Sequence, residues 1–274
     1  KKYLVIGNPI EHSLSPKLHN YWIKNNNIEA IYEKRKTEKK DLEEIISEIK
    51  NGDIKGINVT VPFKQDIIPF IEELTNEASE TGSVNTVYLN NGKVIGHNTD
   101  IAGFELSIRY LKYDVSNKKI FILGAGGVVP SIIYSLKNMN ASSIIISNRT
   151  KEKAEKLKDL FKFIEIVNWG ELSEFDMIIN ATSIGLKKKD KIDLDFSKIG
   201  PDKFFYDVIY NPHETDFLKR GREMGSRTEN GKMMFIYQAQ LAFKIWHNIL
   251  PKVHNKLLEK WLELELLEVL VLGK

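Results

Sequence analysis

Two kinds of apolar spacing alternate along the chain. Residues 3–6 form a short unbroken apolar run closed by Gly7. Ser15-Pro16 then supplies an N-cap and a first-turn proline, which predicts a helix starting at Pro16. Over residues 37–50, Leu42, Ile45, Ile46 and Ile49 recur at helical spacing. Residues 54–61 read as a strand closed by Pro62, and residues 84–89 and 93–96 as a hairpin joined at Asn90-Asn91-Gly92, a turn-forming run.

The character changes near residue 101. Residues 120–123 are fully apolar and run into Gly124-Ala125-Gly126-Gly127, with a helix predicted through Lys137. Residues 144–146 form a second such strand, residues 150–161 a helix, and residues 163–167, 177–179 and 204–208 further strands. Strands that are apolar throughout, rather than alternating, belong to a parallel sheet covered on both faces. The expectation is therefore α/β: a first α/β domain over residues 1–100, and a Rossmann-type doubly wound domain over residues 101–235. An amphipathic region over 232–267 predicts C-terminal helices returning to the first domain, so that residues 236–274 pack back on it.

Composition narrows the function classes. The chain has 274 residues, 42% of them hydrophobic, enough for two medium cores. The net charge is +3 with acidic and basic residues interspersed, unlike the clustered basic face of a nucleic-acid binder. With no cysteine, disulfides and Cys-ligated zinc are excluded, and the six histidines form no metal-binding pair. No apolar run has the roughly 20 residues of a membrane helix, so the expected compartment is the cytoplasm and the expected state a monomer or homodimer.

The glycine-rich turn after a strand and before a helix is the arrangement that binds a dinucleotide. Glycines let the backbone approach the pyrophosphate, and the helix N-terminus presents unpaired N–H groups to it. The second strand ends in Ser147-Asn148-Arg149-Thr150. An NAD site places a carboxylate there for the ribose hydroxyls. Here Arg149 can instead fork onto a 2′-phosphate, with Lys151 adding charge. A cation at a helix start opposes the helix dipole unless an anion is bound. NADP is therefore favoured over NAD. Asn180-Ala181-Thr182-Ser183 follows another strand and faces the same crevice.

Several motifs in one order resemble the shikimate dehydrogenase family. They are Gly7-Asn8-Pro9, His12-Ser13-Leu14-Ser15-Pro16 with His19-Asn20, residues 58–64 (Asn-Val-Thr-Val-Pro-Phe-Lys), Val84-Asn85-Thr86 and Gly96-His97-Asn98-Thr99-Asp100. The glycine turn, Asn148-Arg149-Thr150, Asn180 to Ser183, Asp207 to Pro212, Gly231, Met234 and Gln238-Ala239 continue it to about residue 247. The resemblance implies reversible NADPH-dependent reduction of 3-dehydroshikimate to shikimate in chorismate and aromatic amino-acid biosynthesis. It implies Lys64 and Asp100 as the catalytic pair, a role that fits ketone reduction, where an ammonium stabilises the forming alkoxide and supplies a proton. For the substrate it implies Ser13 and Ser15 at the carboxylate, Thr60, Asn85, Tyr210 and Gln238 at the ring, and Asn58 behind them. For the cofactor it implies Gly124, Ala125, Gly126, Gly127, Asn148, Arg149, Thr150, Lys151, Asn180, Ala181, Thr182, Ser183, Gly231 and Met234. No metal is implied.

The chain departs from the family pattern at Ser83, where alanine is commoner, and at Val128-Val129-Pro130, where small residues are usual. Val129 is expected to push its helix slightly off the strand. Two readings stand beside the main one. A quinate/shikimate dehydrogenase would differ near Ser13 and Ser15. A sensor that binds NADP without turnover would have no need of Lys64 and Asp100.

Overall fold

A computed structural model describes residues 1–187 and 189–253 of the chain. It contains two six-stranded sheets. The first is built from β1 (Lys2–Gly7), β2 (Ile31–Lys36), β3 (Gly56–Val59), β4 (Glu73–Leu74), β5 (Thr86–Asn90) and β6 (Lys93–His97), in the order β2-β1-β3-β5-β6-β4. It is mixed: β1 runs parallel to β2 and β3, whereas β3–β5 and β5–β6 are antiparallel. The β5–β6 hairpin closes through Asn91 (φ 49°) and Gly92 (φ 77°), the left-handed pair whose twist matches that of the flanking strands. Helix α1 (Ser15–Asn25) covers one face, and α2 (Leu42–Asn51) packs Leu42, Ile45, Ile46 and Ile49 on the other.

The helix starts differ from the sequence expectation. α1 begins at Ser15 with Leu14 as its N-cap, and no side chain caps it. Ser15 therefore sits inside the first turn, where its hydroxyl is free for tertiary contacts. The run at 37–50 is split: a 3₁₀ turn at Lys39–Asp41 precedes α2, and Thr37 is buried outside the helix. Strand β2 carries Glu33, Lys34, Arg35 and Lys36 with only Tyr32 fully buried, as suits an edge that must not pair with another chain.

A short helix α3 (Asn76–Thr81) and then α4 (Asp100–Tyr110) lead to the second sheet. Its strands are β7 (Lys119–Leu123), β8 (Ser143–Ser147), β9 (Glu165–Val167), β10 (Met177–Asn180), β11 (Phe204–Asp207) and β12 (Arg227–Glu229). Their order, β12-β11-β10-β7-β8-β9, is all parallel and reverses direction at β7, the topology of a doubly wound nucleotide fold. Helices α5 (Val129–Asn138) and α6 (Lys151–Leu160) cover one face, and α7 (Asp216–Glu223) part of the other. The crossover from β10 to β11 contains no helix among its described residues. Instead Ile192, Leu194 and Phe196 alternate inward onto the sheet, and Arg220 donates to the main-chain oxygens of Ile192 and Leu194 (2.8 and 2.5 Å). Val129 is fully buried in the core with Ile122 and Ile132.

Helix α8 (Lys232–His247) joins the halves. Met234 lies in the core of the second sheet, whereas Met233, Ile236, Ala239 and Phe243 pack with α1 and the first sheet. Asn248 ends it in the left-handed conformation, and the expected amphipathic continuation from 254 onward lies outside the described residues. No helix among the described residues is long and apolar enough to cross a membrane.

Helix α4 crosses α8 at Gly103, where a β-carbon would stand 2.8 Å from Gln238 Cβ and 2.9 Å from its main-chain nitrogen. Both obstacles lie on or beside a helix backbone, so neither can swing away. Gly103→Ala is expected to separate the helices and cost about 2 kcal/mol. The measurement is the urea midpoint at constant m-value, and an unchanged midpoint would refute the close crossing.

Candidate active site

The site lies between the ends of the two sheets. The chain leaves β3 through Thr60, Val61, Pro62 and Phe63, and the turn is pinned where Val84 N donates to Lys64 O (2.9 Å). This aims Lys64 inward. On the other side, β6 ends at His97, and Asn98 and Thr99 lead straight into α4. Asp100 is the first residue of that helix; Thr99 is its N-cap and no side chain caps it, so Asp100 acts from the first turn rather than as the cap. Asn98 Oδ1 accepts from Asp100 N (3.0 Å) and fixes its direction.

Lys64 Nζ and Asp100 Oδ2 are 2.5 Å apart, with side-chain exposures of 10% and 6%. The other carboxylate oxygen accepts from Asn85 Nδ2 (2.9 Å). The Asn85 amide has only one possible orientation, because its Oδ1 accepts from the Thr99 main-chain N–H (2.8 Å). Thr86 Oγ1 donates to the same Oδ1 (2.9 Å), and Gln238 Oε1 lies 3.4 Å from Asn85 Nδ2. Behind them Asn58 Nδ2 donates to Asn85 O and Thr86 Oγ1, both 3.1 Å. Asn58 thus supports the strand that carries Asn85, as its place in β3 suggests.

Of the remaining substrate candidates, Ser15 is buried and Ser13, Thr60, Tyr210 and Gln238 are half-buried. Ser13 Oγ accepts weakly from Ser15 N (3.4 Å), so the two serines are held together at the start of α1. Tyr210 packs against Phe235 of α8, with ring centroids 4.5 Å apart.

The glycine turn follows β7. Gly124 has φ +113°, and a β-carbon there would lie 2.8 Å from Ala181 O, so only glycine fits. Gly126 is open: a β-carbon would meet nothing closer than Ala181 O at 4.0 Å. The turn therefore presents bare backbone toward the crevice at the start of α5, the cradle a pyrophosphate needs. A β-carbon on Gly127 would sit 3.6 Å from Lys64 Cβ and Cδ, so this turn lies against the stem of the lysine. Ser83 Oγ donates to Gly127 O (3.0 Å), which gives the unusual serine a task across the seam. Asn98 Nδ2 adds a second tie to Ser131 Oγ of α5 (2.9 Å).

At the end of β8, Arg149 and Thr150 are exposed, Asn148 Nδ2 donates to Thr150 O (2.6 Å), and Lys151 makes a 4.0 Å pair with Glu155. Arg149 has no ion pair among the described residues.

Three cofactor candidates have other tasks. Asn180 is fully buried, and its Nδ2 donates to Ile184 O (3.0 Å) and Asp207 Oδ1 (3.1 Å), while its Oδ1 accepts from Thr182 N and Oγ1 (3.1 and 2.7 Å). It shapes the loop and has no polar atom left for a ligand. Met234 is 3% exposed within the second core. Gly231 is required by packing, since a β-carbon there would lie 2.0 Å from Val208 O. Conversely, Thr86, Asn98, Thr99 and Asp207 stand in the quoted motifs without an assigned role, and Ser83 stands there only as a departure from the family pattern. For Thr86 and Thr99 the available signal was adjacency, since they flank Asn85 and Asp100.

Asp207 closes the loop network by accepting from Thr215 Oγ1 (2.6 Å), Ile209 N (3.0 Å) and Asn180 Nδ2 (3.1 Å). Burial outweighs these bonds and pushes its carboxyl up to about 6 from 3.8. A carboxyl with a raised folded pKa contributes stability below its unfolded value and loses it as pH rises through the folded value. The loss should therefore fall between about pH 4 and 6 and be on the order of 3 kcal/mol. Asp207→Asn is expected to flatten this part of the stability–pH curve in urea titrations. The same slope in the variant would show that Asp207 does not cause it.

Two family profiles match the chain: the shikimate dehydrogenase substrate binding domain over residues 5–87, and shikimate / quinate 5-dehydrogenase over residues 105–189. A shikimate dehydrogenase (NADP(+)) of Pelagibacter ubique is 58% identical over 256 residues, covering 93% of this chain and 97% of the relative. The crystal structure of shikimate dehydrogenase from Aquifex aeolicus superposes with a TM-score of 0.86 at 39% identity, covering 92% of this chain and 94% of that one. The enzyme from Thermus thermophilus, solved with NADP(H) and shikimate, gives a TM-score of 0.84 at 28% identity over 92% of this chain and 95% of that one.

Proposed function

The chain belongs to the shikimate dehydrogenase family, and on that premise we propose that it interconverts 3-dehydroshikimate and shikimate with NADP(H), as a cytoplasmic step toward chorismate and the aromatic amino acids. It is an NADP-dependent oxidoreductase acting on a CH–OH group. The observation that carries the mechanism is the buried Lys64–Asp100 pair lying directly against the glycine turn of the second sheet.

The residues fit the cofactor: the turn at Gly126 offers bare backbone, and Arg149 with Lys151 supplies positive charge at the end of β8, where a 2′-phosphate would lie. When bound, the nicotinamide supplies the hydride in the reducing direction and accepts it in the other. Lys64 holds the proton. In reduction its ammonium stabilises the charge growing on the carbonyl oxygen and delivers the proton to it. In oxidation the neutral amine receives that proton from the hydroxyl. Asp100 holds Lys64 in place at 2.5 Å and balances its charge, and Asn85 holds Asp100. Ser13 and Ser15 receive the substrate carboxylate at the start of α1, and Thr60, Asn85, Tyr210 and Gln238 face the ring hydroxyls. The proposed division of labour is residues 1–100 with the segment from 236 for substrate, and residues 101–235 for NADP.

Purified protein should form NADPH from NADP⁺ and shikimate, read as reduced-nicotinamide absorbance, with quinate and NAD⁺ giving much lower kcat/KM. Lys64→Ala is expected to lower kcat by about 10²–10⁴-fold with the fold retained. Turnover as fast with quinate would move the chain to a quinate/shikimate enzyme, and binding of NADP⁺ without turnover of either acid would leave only a sensor. A separate measurement addresses the cofactor. Arg149→Ala is expected to raise KM for NADP⁺ by about 10- to 100-fold, the loss of a charge-assisted contact, and to leave KM for NAD⁺ unchanged. Equal effects on both cofactors would place Arg149 away from the 2′-phosphate.

A further inference from the structure

Ser83 takes no part in the chemistry above, yet each of its polar atoms is bonded. Its main-chain N–H donates to Ala78 O (3.2 Å), and its main-chain oxygen accepts from Asn98 Nδ2 (3.0 Å). The N–H of the next residue, Val84, donates to Lys64 O (2.9 Å). Ser83 is 0% exposed, and its hydroxyl crosses to the second half of the molecule, where it donates to Gly127 O (3.0 Å). The direction of that bond is fixed, because a carbonyl can only accept. Adjacent residues of the first half thus hold both the turn that carries Lys64 and the glycine turn.

What the bond to Gly127 achieves follows from the hydrogen bonds at the start of α5. In a regular helix Gly127 O would accept from the N–H four residues on, that of Ser131. Ser131 N donates to Val128 O instead (3.1 Å), as does Ile132 N (3.2 Å). Gly127 O therefore has Ser83 as its one partner among the described residues. The first helical turn also has no free donor to offer. Val129 N is taken by Gly126 O (3.0 Å), Pro130 has no N–H, and Ser131 N is taken by Val128 O. At this end of α5 the N–H groups without an acceptor among the described residues are those of Ala125, Gly126, Gly127 and Val128. An anion is therefore received here by the turn and not by the helix. The peptide joining Gly127 to Val128 is trans, and a planar trans peptide points its C=O and N–H in opposite directions. Pinning Gly127 O therefore fixes the direction of the Val128 N–H.

We propose that Ser83 is a positioning residue of the cofactor site: its hydroxyl sets the Gly127–Val128 peptide so that the Val128 N–H is held ready for the pyrophosphate, in a turn kept at a fixed place beside Lys64. Without the hydroxyl, Gly127 O loses its partner and the peptide rotates to find a donor in water or in the Ser131 N–H. The Val128 N–H turns with it. Glycine at 127 makes the rotation easy, because it has no side chain to restrict its dihedrals. Ser83 supplies from the first half of the chain the rigidity that the glycine lacks.

The inference rests on the cofactor reading above, so binding is measured directly, by following NADPH fluorescence as protein is added. A wild type that binds no NADPH overturns that reading and this inference with it. Ser83→Ala removes the hydroxyl and keeps the main-chain bonds. It is expected to raise Kd for NADPH about 3- to 10-fold, the loss of one neutral hydrogen bond. Adenosine 2′-monophosphate carries the phosphate meant for Arg149 and no pyrophosphate. Its Kd, read from displacement of NADPH, should stay within about twofold in the same variant, because its contacts lie apart from Gly127. An unchanged Kd for NADPH, with wild-type binding normal, overturns the proposal. So does an equal rise for both ligands, which a general loosening of the site would give. Ser83→Cys, similar in size with a weaker donor, should fall between wild type and Ser83→Ala. A rise above that of Ser83→Ala would make space rather than the hydrogen bond decisive and overturns the proposal.

Discussion

Two opposite charges, Lys64 and Asp100, have left water together, and most of the architecture around them follows from keeping them paired. Desolvating each ion costs several kcal/mol, offset only when the geometry is good and the remaining polar atoms are also bonded. The 2.5 Å contact supplies the first condition and the Asn85 amide, on the second carboxylate oxygen, the other. To deliver these three side chains the first sheet needs a strand ending at the lysine turn, a hairpin that sets Asn85 beside Thr99, and a helix that starts at Asp100. The Val84 N to Lys64 O bond ties the first two of these together. A slip of one residue in β3–β5 pairing would turn the amide away from the carboxylate.

The second sheet is placed by reference to the same pair. The glycine turn packs on the lysine stem, and its position is held by polar ties: Ser83 to Gly127, Asn98 to Ser131, and Ser135 Oγ to Ile101 O at 3.0 Å. Apolar packing enters farther away, where α8 crosses α4 at Gly103 and shares side chains between the two cores. The division is physically sensible. Directional bonds near the chemistry fix angles, while the non-directional core supplies cohesion at the back.

How legible this was in the sequence depended on burial. β7 and β8 could be read directly because residues 120–123 and 144–146 are apolar on both faces, the pattern of a doubly covered strand. β2 was invisible because its one buried residue, Tyr32, stands among charges that protect the edge. The β10–β11 crossover gave no helical period because it uses extended alternation at Ile192, Leu194 and Phe196 instead. The Lys64–Asp100 pair was legible only through its motif. Nothing local distinguishes Lys64 from the other basic residues, since its distinction is a contact 36 residues away in sequence. Ser15 was read as a cap because capping is the commonest local role for that residue type, and Asp100 also stands at a helix start. The fold uses both inside the first turn, where the backbone helps them and their side chains remain available for tertiary partners.

Two buried aspartates show how environment divides roles within one chain. Asp100 and Asp207 are 4% and 0% exposed, and each accepts an amide hydrogen from an asparagine. Asp100 has in addition a cation in contact, so its charge is balanced and the pair can exchange a proton with a substrate without stranding a net charge in the seam. Asp207 has only neutral donors, and burial raises its pKa. A carboxylate held by neutral groups alone can fix a loop geometry but cannot hold an ammonium for proton transfer. Asp207 accordingly lies behind the Asn180 loop, on the far side of the polar atoms that shape the crevice, while Asp100 lies against the lysine. The role proposed for Asp100, holding and balancing the Lys64 ammonium, therefore rests on the company each carboxylate keeps.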